Sequence, residues 1–209
     1  METGTIQAVA QHAEETLGHE NFRYVSAVVA NCKMLALQRD EADDTEEVDM
    51  DALVIAGYLH DISTVSQGFH NHQIASAQIA VEFLQTQQVS PERIKRVEQA
   101  ILTHMTPIPV EERDSAPIEG RILYDADKLG RLSGLAVVTS LIEFGARYPD
   151  RAVTGDVLAA ILRHIEERFI DLYQSLNTEP AREMAKEKFH KTLAFLDGVI
   201  EHLSDATPV

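Results

Sequence analysis

The sequence predicts an all-α protein organised as one domain over residues 1–209, with a core at about 18–140 and further packing helices at about 150–205. Three observations carry this. Apolar residues recur three and four positions apart almost everywhere. No stretch alternates as a half-buried strand would. Helix-start chemistry is explicit at Ser90-Pro91-Glu92, where a capping serine precedes a first-turn proline and an acid. At 209 residues the chain has the length of one domain with an extension, and no internal repeat or compositional break marks a second.

Taken in order, Phe22, Val25, Val28, Val29, Cys32, Leu35 and Ala36 share one face of a first core helix. The acidic run from Asp40 to Asp51 reads as a solvated loop. The next helix is strongly apolar, with Leu53, Ala56 and His60 on one side, and it ends at His60-Asp61. Ile62 to Asn71 is a polar connection suited to an active-site loop, after which His72, Ser76, Ile79 and Phe83 resume helical spacing. The helix opened by Ser90 carries Ile94, Val97, Ile101 and His104. Pro107, Pro109 and Pro117 punctuate a connection before an apolar-periodic segment from about Ile118 to Leu141. It contains Asp125-Ala126-Asp127-Lys128, and Gly130 and Gly134 are expected to permit close helix approach. Beyond Pro149, one amphipathic stretch uses Val157, Ile161, His164 and Phe169, and another uses Phe189, Leu193, Leu196 and Ile200. Their apolar faces either cap the core or join two copies as a homodimer.

Charge narrows the function. Eighteen basic residues against 34 acidic ones give a formal net charge of −16, which repels nucleic-acid backbones and anionic membranes, so general nucleic-acid binding is not expected. A phosphorylated substrate would need bound divalent cations or a few focused basic side chains. The single cysteine, Cys32, sits on an apolar stripe and is expected as a small buried hydrophobe, and no secretory leader pattern opens the sequence. A cytoplasmic location is the expectation. Ala52 to Leu59, the most apolar stretch, is too short to span a bilayer, so no membrane association is expected.

His60-Asp61 places a nitrogen and an oxygen ligand at the end of a rigid apolar helix. Taken singly, such a pair is more often a hydrogen-bonded helix end than a functional site. The same substitution recurs, however. His72, His104 and Asp127 each continue the apolar face of a helix where leucine would be the default. Helices packed around one centre would bring these groups together as metal ligands, and a mixed imidazole and carboxylate set suits manganese, iron, cobalt, nickel, zinc or magnesium. Phosphate-cradling glycine loops, dinucleotide fingerprints and a Gly-x-Ser-x-Gly elbow are missing from the sequence.

A histidine, a His-Asp doublet and a distant aspartate, spread over about Gly18 to Ser140, resemble the HD-domain superfamily of metal-dependent phosphohydrolases. Ala52 to Asp61 is similar to the family's apolar helix ending in His-Asp, and Arg121 to Leu129 to its later helix ending in an Ala-Asp pair. Asp125 to Lys128 resembles a branch of small bacterial HD hydrolases, with Gly130 where an acidic residue is common. The resemblance implies an HD-type helical bundle with metal ligands at His60, Asp61 and Asp127 and an earlier histidine on the first core helix. His19 is the candidate, although it stands two residues before Asn21, where the family's spacing puts the ligand. Either the helix start shifts, or this ligand is lost, or His12 replaces it. Branches with two metals imply His72 and His104 as further ligands, hence one or two divalent ions per chain.

The implied chemistry is phosphoester hydrolysis by metal-activated water. Asp61 would bind metal and orient the nucleophile, and Lys128, with Arg131 beside it, would hold substrate phosphate. Arg23 and Lys33 are further basic candidates, and His70, His164, His190 and His202 fit no pattern. The expected activity is a metal-dependent phosphohydrolase acting on a nucleotide or another small phosphorylated metabolite. The alternatives are a degenerate HD module that binds a ligand or partner protein without turnover, and an iron oxygenase.

Overall fold

In the computed structural model, residues 3–41, 46–68, 70–105, 116–150 and 154–205 are described. Among them every regular element is a helix: α1 (Thr3–Glu41), α2 (Met50–Leu59), α3 (Thr64–Gln67), α4 (His72–Thr86), α5 (Pro91–Thr103), α6 (Ile118–Leu129), α7 (Gly134–Arg147), α8 (Gly155–Gln174) and α9 (Glu179–Asp205). The fold class is all-α, as the spacing predicts. No single helix among the described residues is long and apolar enough to cross a membrane. The connection containing Pro107 and Pro109 lies outside the described residues.

The chain packs as two compact units, Met1–Asp127 with Asn177–Ala181, and Lys128–Leu176 with Arg182–Val209. In the first unit α2 is the central element, packed against α1, α4 and α5. Its residues from Ala52 to Gly57 are all buried, which is why its sequence shows little amphipathic contrast. Asp49 caps it, its carboxylate accepting from the Asp51 and Ala52 N–H groups at 3.1 and 3.0 Å. Against it α1 buries Val25, Val28, Val29, Cys32, Leu35 and Ala36, the face that the sequence identifies. Burial pushes the Cys32 thiol well above the usual range, and the negative charges of Asp127 and Asp125 push it further, so this cysteine is inert packing.

Helix α1 begins earlier than the sequence reading starts it. Val9, Ala13 and Leu17, four residues apart, are buried ahead of a break at Gly18, whose φ of 75° lies in the region that favours glycine. A second glycine fixes how closely α5 and α6 meet: a Cβ on Gly120 would stand 2.0 Å from Thr103 Oγ1. This contact holds the end of α5, and the His104 that follows it, against α6.

The acidic connection before α2 is corrected on one point. Glu46 and Asp49, read as solvated, are ion-pair partners: Glu46 accepts from the buried Arg121, and Asp49 from Arg93 Nε at 2.9 Å. Glu119, itself buried, accepts from the Asp49 N–H at 2.9 Å and from Arg96 at 3.0 Å. The polar connection Ile62 to Asn71 contains the one-turn helix α3. Asp125, fully buried, accepts from both N–H and side-chain donors of Asn177 and Thr178 at 2.7 to 3.2 Å, which joins Asn177–Ala181 to the first unit.

In the second unit Val137, Leu162 and Leu196 form the centre, with Leu141, Leu158, Ile165, Val199 and Ile200 around them. Phe189 stacks on Tyr173 and Phe169 at centroid distances of 4.1 and 5.3 Å. Two expectations change here. The segment from Ile118 to Leu141 is two helices, broken after Leu129, with Gly130 in the break and Gly134 opening α7, where a Cβ would meet Thr192 Oγ1 only at an ordinary 4.0 Å. The inward stripe of α8 is Leu158, Leu162, Ile165 and Phe169, while His164 faces outward.

Candidate metal centre

The C-terminal end of α2 concentrates the chemistry. His60 is completely buried, and its Nδ1–H donates to the Gly57 carbonyl at 2.8 Å. A carbonyl can only accept, so a proton sits on Nδ1, and in the neutral ring Nε2 carries the lone pair. His104, at the end of α5, repeats this with Nδ1–H donating to the Ile101 carbonyl at 2.5 Å. Each imidazole is therefore set, by a carbonyl three residues earlier on its own helix, in the tautomer that binds a cation through Nε2.

Both nitrogens face Asp61. Its Oδ2 lies 3.5 Å from His60 Nε2, and its Oδ1 lies 3.9 Å from His104 Nε2 and 3.0 Å from His72 Nε2. Ligand atoms of His60, Asp61 and His104 fall within 4.8 Å of one another. The rings of His60 and His104 are 5.0 Å apart, and those of His72 and His104 5.6 Å, both pairs edge to face. Asp61 is 13% exposed, so the cluster opens to solvent at its carboxylate while the imidazoles are sealed.

The turn that follows is fixed by hydroxyls. Ser63 Oγ donates to the His72 carbonyl at 3.0 Å and meets Ser76 Oγ at 3.0 Å, while the Ser63 N–H donates to Ser76 Oγ at 3.2 Å. Thr64 Oγ1 donates to the Asp61 carbonyl at 2.7 Å. These bonds place His72, the first residue of α4, against Asp61. Ser63 and Ser76 were not anticipated as supports, since small hydroxyl residues leave no periodic signal.

The other residues singled out by sequence are placed as follows. Asp127 is buried in the same unit, and its Oδ1 accepts a short hydrogen bond from the Tyr24 hydroxyl. His19 is not brought to the cluster: its side chain is 74% exposed and lies 4.0 Å from Glu14. His12 stacks on Phe83 at 4.1 Å, so it does not substitute. Lys128 is buried and opens the second unit, one residue beyond Asp127 and thus about 100° further around the helix. Arg131 and Lys33 are exposed, and Arg23 pairs with Glu20 at the surface. His70, His164, His190 and His202 are exposed. Tyr24 is the residue that sequence reasoning missed, because a tyrosine on a mostly apolar helix reads as packing.

The donor set fits a divalent metal. His60 Nε2 is a buried nitrogen without a hydrogen bond, a costly arrangement unless something binds its lone pair. Two neutral imidazoles with a carboxylate form an ordinary set for a transition-metal ion.

Comparison with known proteins agrees with this geometry. No curated relative matches the sequence. Solved structures share the fold. A predicted HD superfamily hydrolase from an uncultured Thermotogales bacterium is 20% identical, with a TM-score of 0.58, over 96% of this chain and 92% of that one. Bacillus subtilis YpgQ, in a complex with ADP, is 18% identical with a TM-score of 0.66 over 94% of each chain. A Lactobacillus plantarum protein is 16% identical with a TM-score of 0.67, over 98% of this chain and 99% of that one. The family model described as HD domain matches residues 25–132, which includes His60, Asp61, His72, His104 and Asp127. The chain belongs to the HD-domain family, a superfamily of metal-dependent hydrolases.

Proposed function

We propose that this protein is a metal-dependent phosphohydrolase acting on a nucleotide or another small phosphorylated metabolite. The observation that carries the reading is the pair of buried imidazoles, His60 and His104, whose Nδ1 protons are committed to backbone carbonyls and whose Nε2 atoms face Asp61. His60, Asp61 and His104 would hold the ion, with Asp127 and His72 completing a site of one or two metals. When bound, the ion activates water and neutralises charge on a phosphoryl oxygen.

The chain's own residues supply the rest. Asp61 has one oxygen toward His60 and the other toward His72 and His104, so it would help to hold a cation and orient the attacking water. The hydrogen bonds from Nδ1 to backbone carbonyls hold the His60 and His104 rings in place. Lys128 is the proposed contact for substrate phosphate. The ADP held by YpgQ, a protein of the same fold, supports a nucleotide as one member of the substrate class. Bound cations also make an anionic substrate compatible with a chain of net charge −16. We further propose a cytoplasmic protein with no nucleic-acid or membrane partner, with pairing into homodimers as a property to test.

The exposure of His19 favours a second reading, a binding module without turnover, because the histidine expected on α1 is turned away from the site. One experiment separates the two. Elemental mass spectrometry of the purified protein, beside a variant with His60 and Asp61 both changed to alanine, should find one or two equivalents of transition metal in the native protein and none in the variant. Nucleoside di- and triphosphates are then assayed with that metal. Metal without hydrolysis supports the binding module. A native protein that takes up no manganese, iron, cobalt or nickel sinks the hydrolase reading and leaves the binding module.

A further inference from the structure

We infer that Tyr24 is a positioning residue of the metal centre: its hydroxyl orders the Asp127 carboxylate from the side of α1 on which the family's first histidine is expected. The inference rests on the metal-centre reading above. Tyr24 donates to Asp127 Oδ1, and seven residues later on the same face of α1, Asn31 Nδ2 donates to the Ala126 carbonyl at 3.2 Å. Two turns of α1 thus grip two consecutive residues of α6, one through its side chain and one through its backbone. Asp127 is buried, and a buried carboxylate calls for hydrogen-bond donors. Tyr24 supplies one while its ring stays 37% exposed, an amphipathic side chain reaching inward with its polar tip.

The two histidines of α1 are engaged elsewhere, His19 beside Glu14 and His12 on Phe83. Helix α1 breaks at Gly18, one residue before His19, and His19 lies on the outer surface. What α1 offers to Asp127 is therefore a phenol. A phenol O–H bonded to Oδ1 orders the carboxylate, so it acts on the ion through Asp127. This is the role of an outer hydrogen-bond partner, whose removal typically costs 10- to 100-fold in metal affinity.

The test is cobalt(II) titration of the full chain, followed by calorimetry and by the visible spectrum of the bound ion, for native protein, Tyr24→Phe, Asp127→Asn and the double variant. Tyr24→Phe is expected to bind cobalt roughly 10- to 100-fold more weakly with an altered spectrum, while its metal-free melting temperature stays close to native. The double variant is expected to bind no more weakly than Asp127→Asn alone, since the phenol acts only through that carboxylate. Native affinity and spectrum in Tyr24→Phe would overturn the inference. So would penalties that simply add in the double variant, or an affinity loss that appears only together with a fall in metal-free stability. If the native protein binds no cobalt, the metal centre itself fails, an outcome separate from a native protein that binds and a Tyr24→Phe variant that binds equally well.

Discussion

Helix α2 carries buried polar groups at both ends, and the two ends are built in opposite ways. At the N-terminal end Asp49 accepts from Arg93 and two backbone N–H groups, and Glu119 from Arg96 and the Asp49 N–H. Burial pushes the Asp49 carboxyl up, but the Arg93 hydrogen bond and charge and the backbone N–H groups outweigh it and hold the group below the usual carboxylate range. At the C-terminal end one carboxylate faces three imidazoles, and His60 Nε2 is buried without a hydrogen bond. A cavity of about 470 Å³ lies at the first end, lined by Glu47, Asp49, Asp51, Arg93 and Arg96. The hollow lies among paired charges, while the chemistry gathers around a buried imidazole nitrogen, His60 Nε2, that has no hydrogen bond. Incomplete pairing, rather than empty volume, marks the site.

The largest expected effect breaks the comparison at the C-terminal end. Asp61→Ala should abolish metal uptake and with it any metal-dependent hydrolysis, read by elemental analysis and by phosphate release. Next, saturating the native protein with cation at about 100 times its dissociation constant should stabilise it by about 2.7 kcal/mol, or roughly 5–10 °C in melting temperature, and this gain should vanish in Asp61→Ala. The N-terminal end should respond the other way. Glu119→Ala should cost about 1–3 kcal/mol, because the Asp49 N–H loses its acceptor, while leaving metal affinity unchanged. Asp49→Ala, which removes a cap, should cost about 1 kcal/mol in chemical unfolding.

Asp49 also sharpens the contrast through pH. Its folded pKa lies below its unfolded one, so its contribution is present above the unfolded value and is lost as pH falls through the folded value. The stability gap between native protein and Asp49→Asn should therefore shrink on acidification, as measured by urea unfolding across the carboxylate range. A gap that widens in acid would refute this account of the N-terminal end.

Much of this architecture could be read from the residues in order. The buried face of α1 from Val25 to Ala36, the apolar α2 ending in His60-Asp61, and the Ser90 cap of α5 are local patterns. Histidines and an aspartate in places where leucine would serve pointed to His72, His104 and Asp127 for the same reason. Other features left weaker traces. Glu46 and Asp49 looked like solvated charge because their partners, Arg121 and Arg93, are 75 and 44 residues away. Asp125 stood beside Asp127 in an Asp-Ala-Asp run, yet it holds Asn177 and Thr178. The exposure of His19 and the contact of Tyr24 with Asp127 depend on the setting of α1, which breaks at Gly18, and only the coordinates reveal them.

By itself the sequence determined the helical class, the apolar central helix and the residue types able to bind a cation, since periodicity and burial preference act over a few neighbouring residues. Tertiary structure decided which of those side chains meet, which imidazole nitrogen faces Asp61, and that a phenol from α1 rather than an imidazole reaches Asp127. These outcomes depend on the angular setting of helices far apart in the chain, and a hydrogen bond is made or lost over about an ångström.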